Sequence, residues 1–262
     1  MAFLKLLASA VALVGIVVSS GAGAKDWKTI RIGSEGAYAP FNFIDTKGQL
    51  AGVDIDIGRA LGKQMKAECV FVAQDWDGII PALLAKKYDV ILASMFITEE
   101  RRKQVSFTTP YYRAAMSHVA PKSAHLTDLS PVGLTGKIIG VQSGTTQAEY
   151  AATLYKNSDI REYRTQDEVN LDLASGRLDL AVGDLLPLMD WVGKTDEGKC
   201  CELVGKPVTD PKFVGEGVGM AVRQEDNDLR EQINAALAAI IADGTYKAIN
   251  AKYFPINIYS MN

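Results

Sequence analysis

CVFVAQDWDGIIPALLAKKYDVILAS (69–94) decides the fold. A short apolar run, CVFVA (69–73), leads into a helical pattern, WDGIIPALLAKK (76–87), and then into a second apolar run, DVILAS (89–94). Strand, helix and strand at this spacing predict parallel strands joined by a crossover helix. Working outward, TIRIGS (29–34) predicts an earlier strand, and Ile57, Ala60, Leu61, Gln64 and Met65 mark one face of the helix after it. The series restarts with KIIGV (137–141), a helix from about Thr145 to Tyr155, a helix QDEVNLDLASG (166–176) and a strand DLAVG (179–183). Two α/β lobes, each a sheet flanked by helices, are the economical reading. VGEGVGMAV (214–222) reads as a flexible return passage followed by a strand, and Leu229, Ile233, Leu237, Ile240 and Ile241 give a final helix its apolar stripe.

The chain has 262 residues, 48% hydrophobic and 23% charged, which is room for two lobes with separate cores. A formal charge of -3 offers no basic field, so nucleic acid and anionic membrane are poor candidate partners. The amino terminus carries Lys5, an apolar run from Leu6 to Val18 and the small residues Ala22-Gly23-Ala24, the pattern of a secretory signal peptide cleaved after Ala24. That run is short of the ~20 residues a membrane span needs. Cys69, Cys200 and Cys201 are an odd number for an oxidising compartment. A bridge between adjacent Cys200 and Cys201 needs a strained ring, and Cys69 reads as a buried free thiol. His118 and His125 lack Cys, Asp or Glu at ligand spacing, so neither a metal site nor a Ser-His-Asp triad is expected.

Ligands of open α/β sheets bind outside the carboxyl ends of the strands. The first strand runs into GSEGAYAPFNF (33–43), with a carboxylate at Glu35 and a ring at Tyr38; the next two run into Trp76 and into ASMFITEERR, with Arg101. In the second half, IIGV runs into QSGTTQ (142–147), and LAVG runs into Asp184. One small zwitterion would satisfy all of these groups.

At YAPF (38–41), GVDIDIG (52–58), WDGIIPAL (76–83), ITEERR (97–102), GVQSGTTQ (140–147), GRLDLAVGD (176–184) and DGTYKAINAKYF (243–254) the sequence resembles the periplasmic solute-binding proteins of polar amino-acid ABC transporters, family 3, and within them the lysine/arginine/ornithine- and histidine-binding type. The likeness covers essentially the whole mature chain. It implies a type II periplasmic binding fold, with lobe one at 25–113 and 215–262, lobe two at 117–210, and a hinge near 114–116 and 211–214. It also implies binding without catalysis or cofactor, an inner-membrane permease as partner, and a monomer.

By the same resemblance, Arg101 grips the ligand α-carboxylate, for which its planar fork is suited. Asp184 holds the α-ammonium, Ser94 supplies hydrogen bonds to the ammonium and carboxylate, and Met95 and Phe96 are expected at the site beside it, Phe96 with a backbone N–H that can donate. Thr145, Thr146 and Gln147 form a helix start whose free N–H groups assist the carboxylate. Tyr38 and Trp76 sandwich the ligand side chain, which then meets Glu35, and Gln142 is a further residue expected at the site. An acidic residue at 35 is typical of the basic-amino-acid binders, so a cationic ligand is expected: arginine or ornithine first, then lysine, histidine or an opine. Phe96 replaces a small or hydroxylated residue, Ala93 a Ser, and Gln142 an apolar residue of close relatives. Gly62 stands where those relatives carry a cysteine bridged to the match of Cys69. The competing readings are a site for a neutral amino acid such as glutamine, an enzyme similar to the cyclohexadienyl dehydratases, and a subunit that signals to a membrane receptor.

Overall fold

A computed structural model describes residues 27–260; the expected signal peptide, residues 1–24, lies outside them. In the first sheet, Thr29–Ser34 is flanked by Glu68–Ala73 and Val90–Ile91, all parallel, and the sheet continues through Ala221–Val222 and Ser106–Phe107. The second sheet repeats the plan, with Ile138–Gln142 between Asp159–Tyr163 and Leu180–Asp184, followed by Met116–Pro121 and Cys201–Val208 as antiparallel strands. In each sheet the fourth strand belongs to the segment that has just crossed from the other sheet. The chain therefore passes between the two sheets twice.

Helices pack on the parallel strands of both sheets, among them Val53–Met65 on Glu68–Ala73 and Thr146–Leu154 on Ile138–Gln142. Val53, Ile55, Ile57 and Leu61 of the helix Val53–Met65 are buried, and the helix packs against Asn227–Ala242, whose Leu229, Ile233, Leu237 and Ile240 are also buried. Burying a side chain of this size contributes about 1.5–3 kcal/mol. Gly58 lets this helix approach the sheet: a Cβ there would stand 2.9 Å from the Phe71 ring and 3.2 Å from Ile32.

Several local expectations need correction. Gln64 is exposed, because the apolar face of its helix is narrower than the pattern suggested. The helix foreseen over 76–87 is a 3-10 turn, Trp76–Gly78, followed by an α-helix only over Ile79–Leu84, and the strand foreseen over 89–94 is paired only at Val90–Ile91. Beyond Ile91 the chain leaves the sheet, and Ser94 takes a left-handed conformation (φ 53). The glycine-rich return is not a flexible passage. Pro211–Val214 is helical, Val218 is fully buried and bridges both Phe96 and Tyr112, and a Cβ at Gly215 would meet the Ile97 carbonyl at 1.8 Å. These glycines serve close approach of backbone to backbone.

Cys69 is a free thiol but only half-buried, its Sγ 3.4 Å from the Gly58 carbonyl, while Cys200 and Cys201 form a disulfide with each other. A Cβ at Gly62 would lie 2.4 Å from the Cys69 sulfur. The glycine leaves that place to the thiol.

Candidate functional site

The carboxyl ends of both sets of strands face each other across a cavity lined by residues of both sheets' strand ends. Every residue expected at the site lines it except Met95. Met95 is fully buried among Ile79, Leu83 and Tyr88, and Ala93 lines the cavity instead. Ser94 and Phe96 face the cleft while the Met95 side chain between them joins the core, and the left-handed turn at Ser94 breaks strand alternation so that its neighbour Ala93 lines the cavity as well.

The first lobe supplies three elements. Ser34 Oγ donates to the Leu92 carbonyl (2.8 Å) and ties the first strand end to the third. The loop after it is fixed by Asn42, whose Oδ1 accepts the Gly36 N–H (2.8 Å), and by pairing of Ala37–Tyr38 with Asn42–Ile44. Trp76 opens its 3-10 turn at the next strand end. Arg101 sits in the short helix Glu99–Arg102, capped by Thr98; its guanidinium donates to the Phe96 carbonyl (2.9 Å) and lies 5.2 Å from the Trp76 ring centre.

The second lobe answers with a helix start and a carboxylate. Thr145 caps Thr146–Leu154 by accepting the Ala148 N–H, so the amino end of that helix opens on the cavity. Asp184 ends its strand at the N-cap position of Leu185–Lys194, yet makes no side-chain cap. Its carboxylate instead accepts from the Tyr38 hydroxyl (2.6 Å) and from Gln147 Nε2. Gln142 Nε2 donates to Glu35 Oε1 (2.6 Å) and to the Arg164 carbonyl (3.1 Å). The indole of Trp76 donates to the Gly144 carbonyl (3.1 Å), and Ser143 Oγ donates to Asp77 (2.8 Å). The lobes thus meet along the rim of the cavity, in a closed arrangement.

Burial sets the electrostatics. Removal from water pushes the Glu35 and Asp184 carboxyls up to about 7 each, against hydrogen bonds from Gln142 and Tyr38 that hold them down. It brings the Arg101 guanidinium down to about 10, still charged at neutral pH. The cleft therefore concentrates two strained carboxylates and one guanidinium.

Asp54 was not foreseen. It lies in the helical run GVDIDIG, fully buried, and accepts from Tyr111 Oη (2.7 Å), Asn42 Nδ2 (2.8 Å) and Ser94 Oγ (3.1 Å). One carboxylate thereby fixes both the Glu35 loop, through Asn42, and the left-handed turn at Ser94. An acid on an otherwise apolar helix face was the available signal. Asp54→Ala strands three buried donors, each unsatisfied group costing about 1–3 kcal/mol. The expected outcome is a lower midpoint in urea with an unchanged slope, together with weaker binding of every ligand.

Residues 30–256 match the family described as bacterial extracellular solute-binding proteins, family 3. The chain belongs to that family. It is 44% identical to the L-arginine-binding protein of Pseudomonas aeruginosa over 99% of this chain and 100% of that one. It is 37% identical to the lysine/arginine/ornithine-binding periplasmic protein of Escherichia coli, over 94% and 95%. Among solved structures, a Salmonella typhimurium periplasmic binding protein with high arginine specificity superposes with a TM-score of 0.80 at 32% identity, over 87% of this chain and 99% of that one. The fold is that of these solute-binding proteins, as the motifs implied.

Proposed function

We propose that this solute-binding protein captures a cationic L-amino acid in the periplasm, arginine or ornithine first, and presents it to the permease of an ABC transporter without catalysing a reaction. One observation carries the reading: the buried carboxylates of Glu35 and Asp184 outnumber the single guanidinium of Arg101 in the cavity. An amino acid's own ammonium and carboxylate cancel. A cation on its side chain is what the remaining carboxylate lacks, and a buried carboxylate without one is costly. Arg101 and the amino end of Thr146–Leu154 take the α-carboxylate, and Asp184, held by Tyr38 and Gln147, takes the α-ammonium. The side chain then runs between Tyr38 and Trp76, whose faces favour cations, toward Glu35. The names of the relatives agree with this choice.

Isothermal titration against the amino acids, ornithine and citrulline tests it at pH 7.5 and pH 5.5. The cationic ligands should bind tightest at pH 7.5. A bound cation lowers the pKa of Glu35 below its ligand-free value of about 7, so its contribution is complete above that value and is lost as pH falls through the window beneath it. Asp184, also raised to about 7, holds the α-ammonium of every ligand, so all affinities should fall on acidification, and arginine, which also needs Glu35 ionised, should lose more than glutamine. A wild-type preference for a neutral or acidic ligand overturns the reading.

Capture works by closure, because contacts from both lobes coexist only in the closed form. The proposed lobes are 25–113 with 215–262, and 117–210, and the hinge lies near 114–116 and 211–214. Phe213 of the helix Pro211–Val214 stacks edge-on against Tyr150 of the second lobe (5.2 Å between ring centres), so this helix moves with that lobe. The second crossing then turns at the end of this helix, where Gly215 takes a positive φ. Small-angle scattering should show a smaller radius of gyration with saturating arginine than without. An unchanged profile removes closure from the mechanism.

A further inference from the structure

Gln142 stands between the two ends of the cleft's charge pattern, and its chemistry is fixed by its neighbours. Both N–H bonds of its amide are committed, one to Glu35 Oε1 (2.6 Å) on the opposite lobe and one to the Arg164 carbonyl (3.1 Å) on its own. The Arg164 carbonyl can only accept, as can Glu35 in the ionised form that meets a cation, so in that form the amide cannot be reversed without setting its oxygen against two others. What Gln142 offers the cavity it lines is therefore Oε1, which no donor reaches among the described residues. Glu35, nine-tenths buried, likewise keeps Oε2 without a protein donor among them. The far end of the cavity thus holds two acceptors from different lobes, one charged and one neutral, locked side by side by the hydrogen bond that joins them.

We propose that Gln142 makes the cleft select a guanidinium over a primary ammonium, so that arginine or a guanidino derivative of it is preferred over ornithine and lysine. The inference rests on the proposed binding of a cationic amino acid and narrows it. A guanidinium presents several N–H bonds in one plane, and two adjacent acceptors can take parallel bonds from it. Its charge is delocalised and weakly hydrated, so sharing it between a carboxylate and a neutral amide costs little. An ammonium is a compact, strongly hydrated point charge that gains most from the carboxylate and least from the amide. The aromatic faces of Tyr38 and Trp76 and the carboxylate of Glu35 serve both cations. The amide oxygen is the group that separates them.

The test is titration calorimetry of the wild type, Gln142→Met and Gln142→Leu with L-arginine, L-ornithine and L-lysine, with a thermal melt of each variant to confirm folding. Methionine keeps the length and flexibility of glutamine without its polar atoms. Wild type should bind arginine at least about tenfold more tightly than ornithine or lysine, the scale of one charged hydrogen bond. In Gln142→Met, arginine should lose roughly tenfold and the other two less than about threefold, so that the ratio collapses. Loosening of Glu35, which Gln142 also holds, weakens all three ligands alike and leaves the ratio untouched. Proportional losses, no loss, or a wild type that binds the three cations equally would each overturn the role of Gln142 while leaving the cationic reading intact. A wild type that prefers glutamine or citrulline to all three would overturn that reading instead.

Discussion

Arg101→Ala is expected to remove binding of every amino acid, cationic or neutral, from calorimetric detection. The guanidinium is brought into the cleft by a four-residue helix capped by Thr98, and it is held between the Phe96 carbonyl and the Trp76 ring. In the proposed complex it is the charged partner of the α-carboxylate, a group common to all candidate ligands. Removing one member of a buried, hydrogen-bonded charge pair costs about 2–5 kcal/mol, which is roughly thirtyfold to several thousandfold in affinity. The short helix should survive, because its cap, the Thr98 hydroxyl accepting the Arg101 backbone N–H, and its backbone turn over residues 98–105 do not use the Arg101 side chain. Arg101→Lys separates charge from geometry. It keeps the cation, loses the planar fork, and should recover only part of the affinity. A loss below threefold in Arg101→Ala would make Arg101 a structural tie between Phe96 and Trp76 and nothing more.

Strand ends were the most legible part of this chain. Glu35, Trp76, Gln142 and Asp184 each stand just beyond or at the end of an apolar run, and the parallel plan brings all of those ends to one cleft. Their convergence follows from topology, which short-range patterning can reveal. What patterning could not reveal depends on single dihedral angles or on partners distant in sequence. Met95 was expected at the cavity as part of the segment Ser94–Phe96, whose two outer residues do line it. The positive φ at Ser94 ends the alternation, and that angle is stabilised by Asp54, forty residues earlier. The glycines of 215–219 were read as flexibility, yet their neighbours Ile97 and Phe107 lie far upstream, and only the folded chain shows that there is no room for a Cβ. Gln142 looked like a polar replacement for an apolar wall. Its value as an oriented acceptor comes from Glu35 and the Arg164 carbonyl, which belong to other elements.

The charge at position 35 decides between a cationic and a neutral ligand, and Glu35→Gln isolates it. The substitution keeps the shape of the side chain, and its amide oxygen can still accept from Gln142 Nε2, so the join between the lobes survives. What disappears is a carboxylate that burial has already raised to about 7 and that waits for a cation to lower it. Arginine and ornithine should each lose roughly 2–3 kcal/mol, the scale of a hydrogen bond to a charged group, or about thirtyfold to over a hundredfold in affinity. Citrulline has nearly the shape of arginine without its charge, and glutamine is neutral, so both should change by less than about threefold. The pH dependence of arginine binding should become shallower in the same variant, down to that of glutamine, because the proton on Glu35 is gone and only that on Asp184 remains. Calorimetry on wild type and variant at pH 7.5 and 5.5 measures both effects. Equal losses for charged and neutral ligands would mean that Glu35 acts through its contact with Gln142, and the choice of a cationic ligand would fall with it.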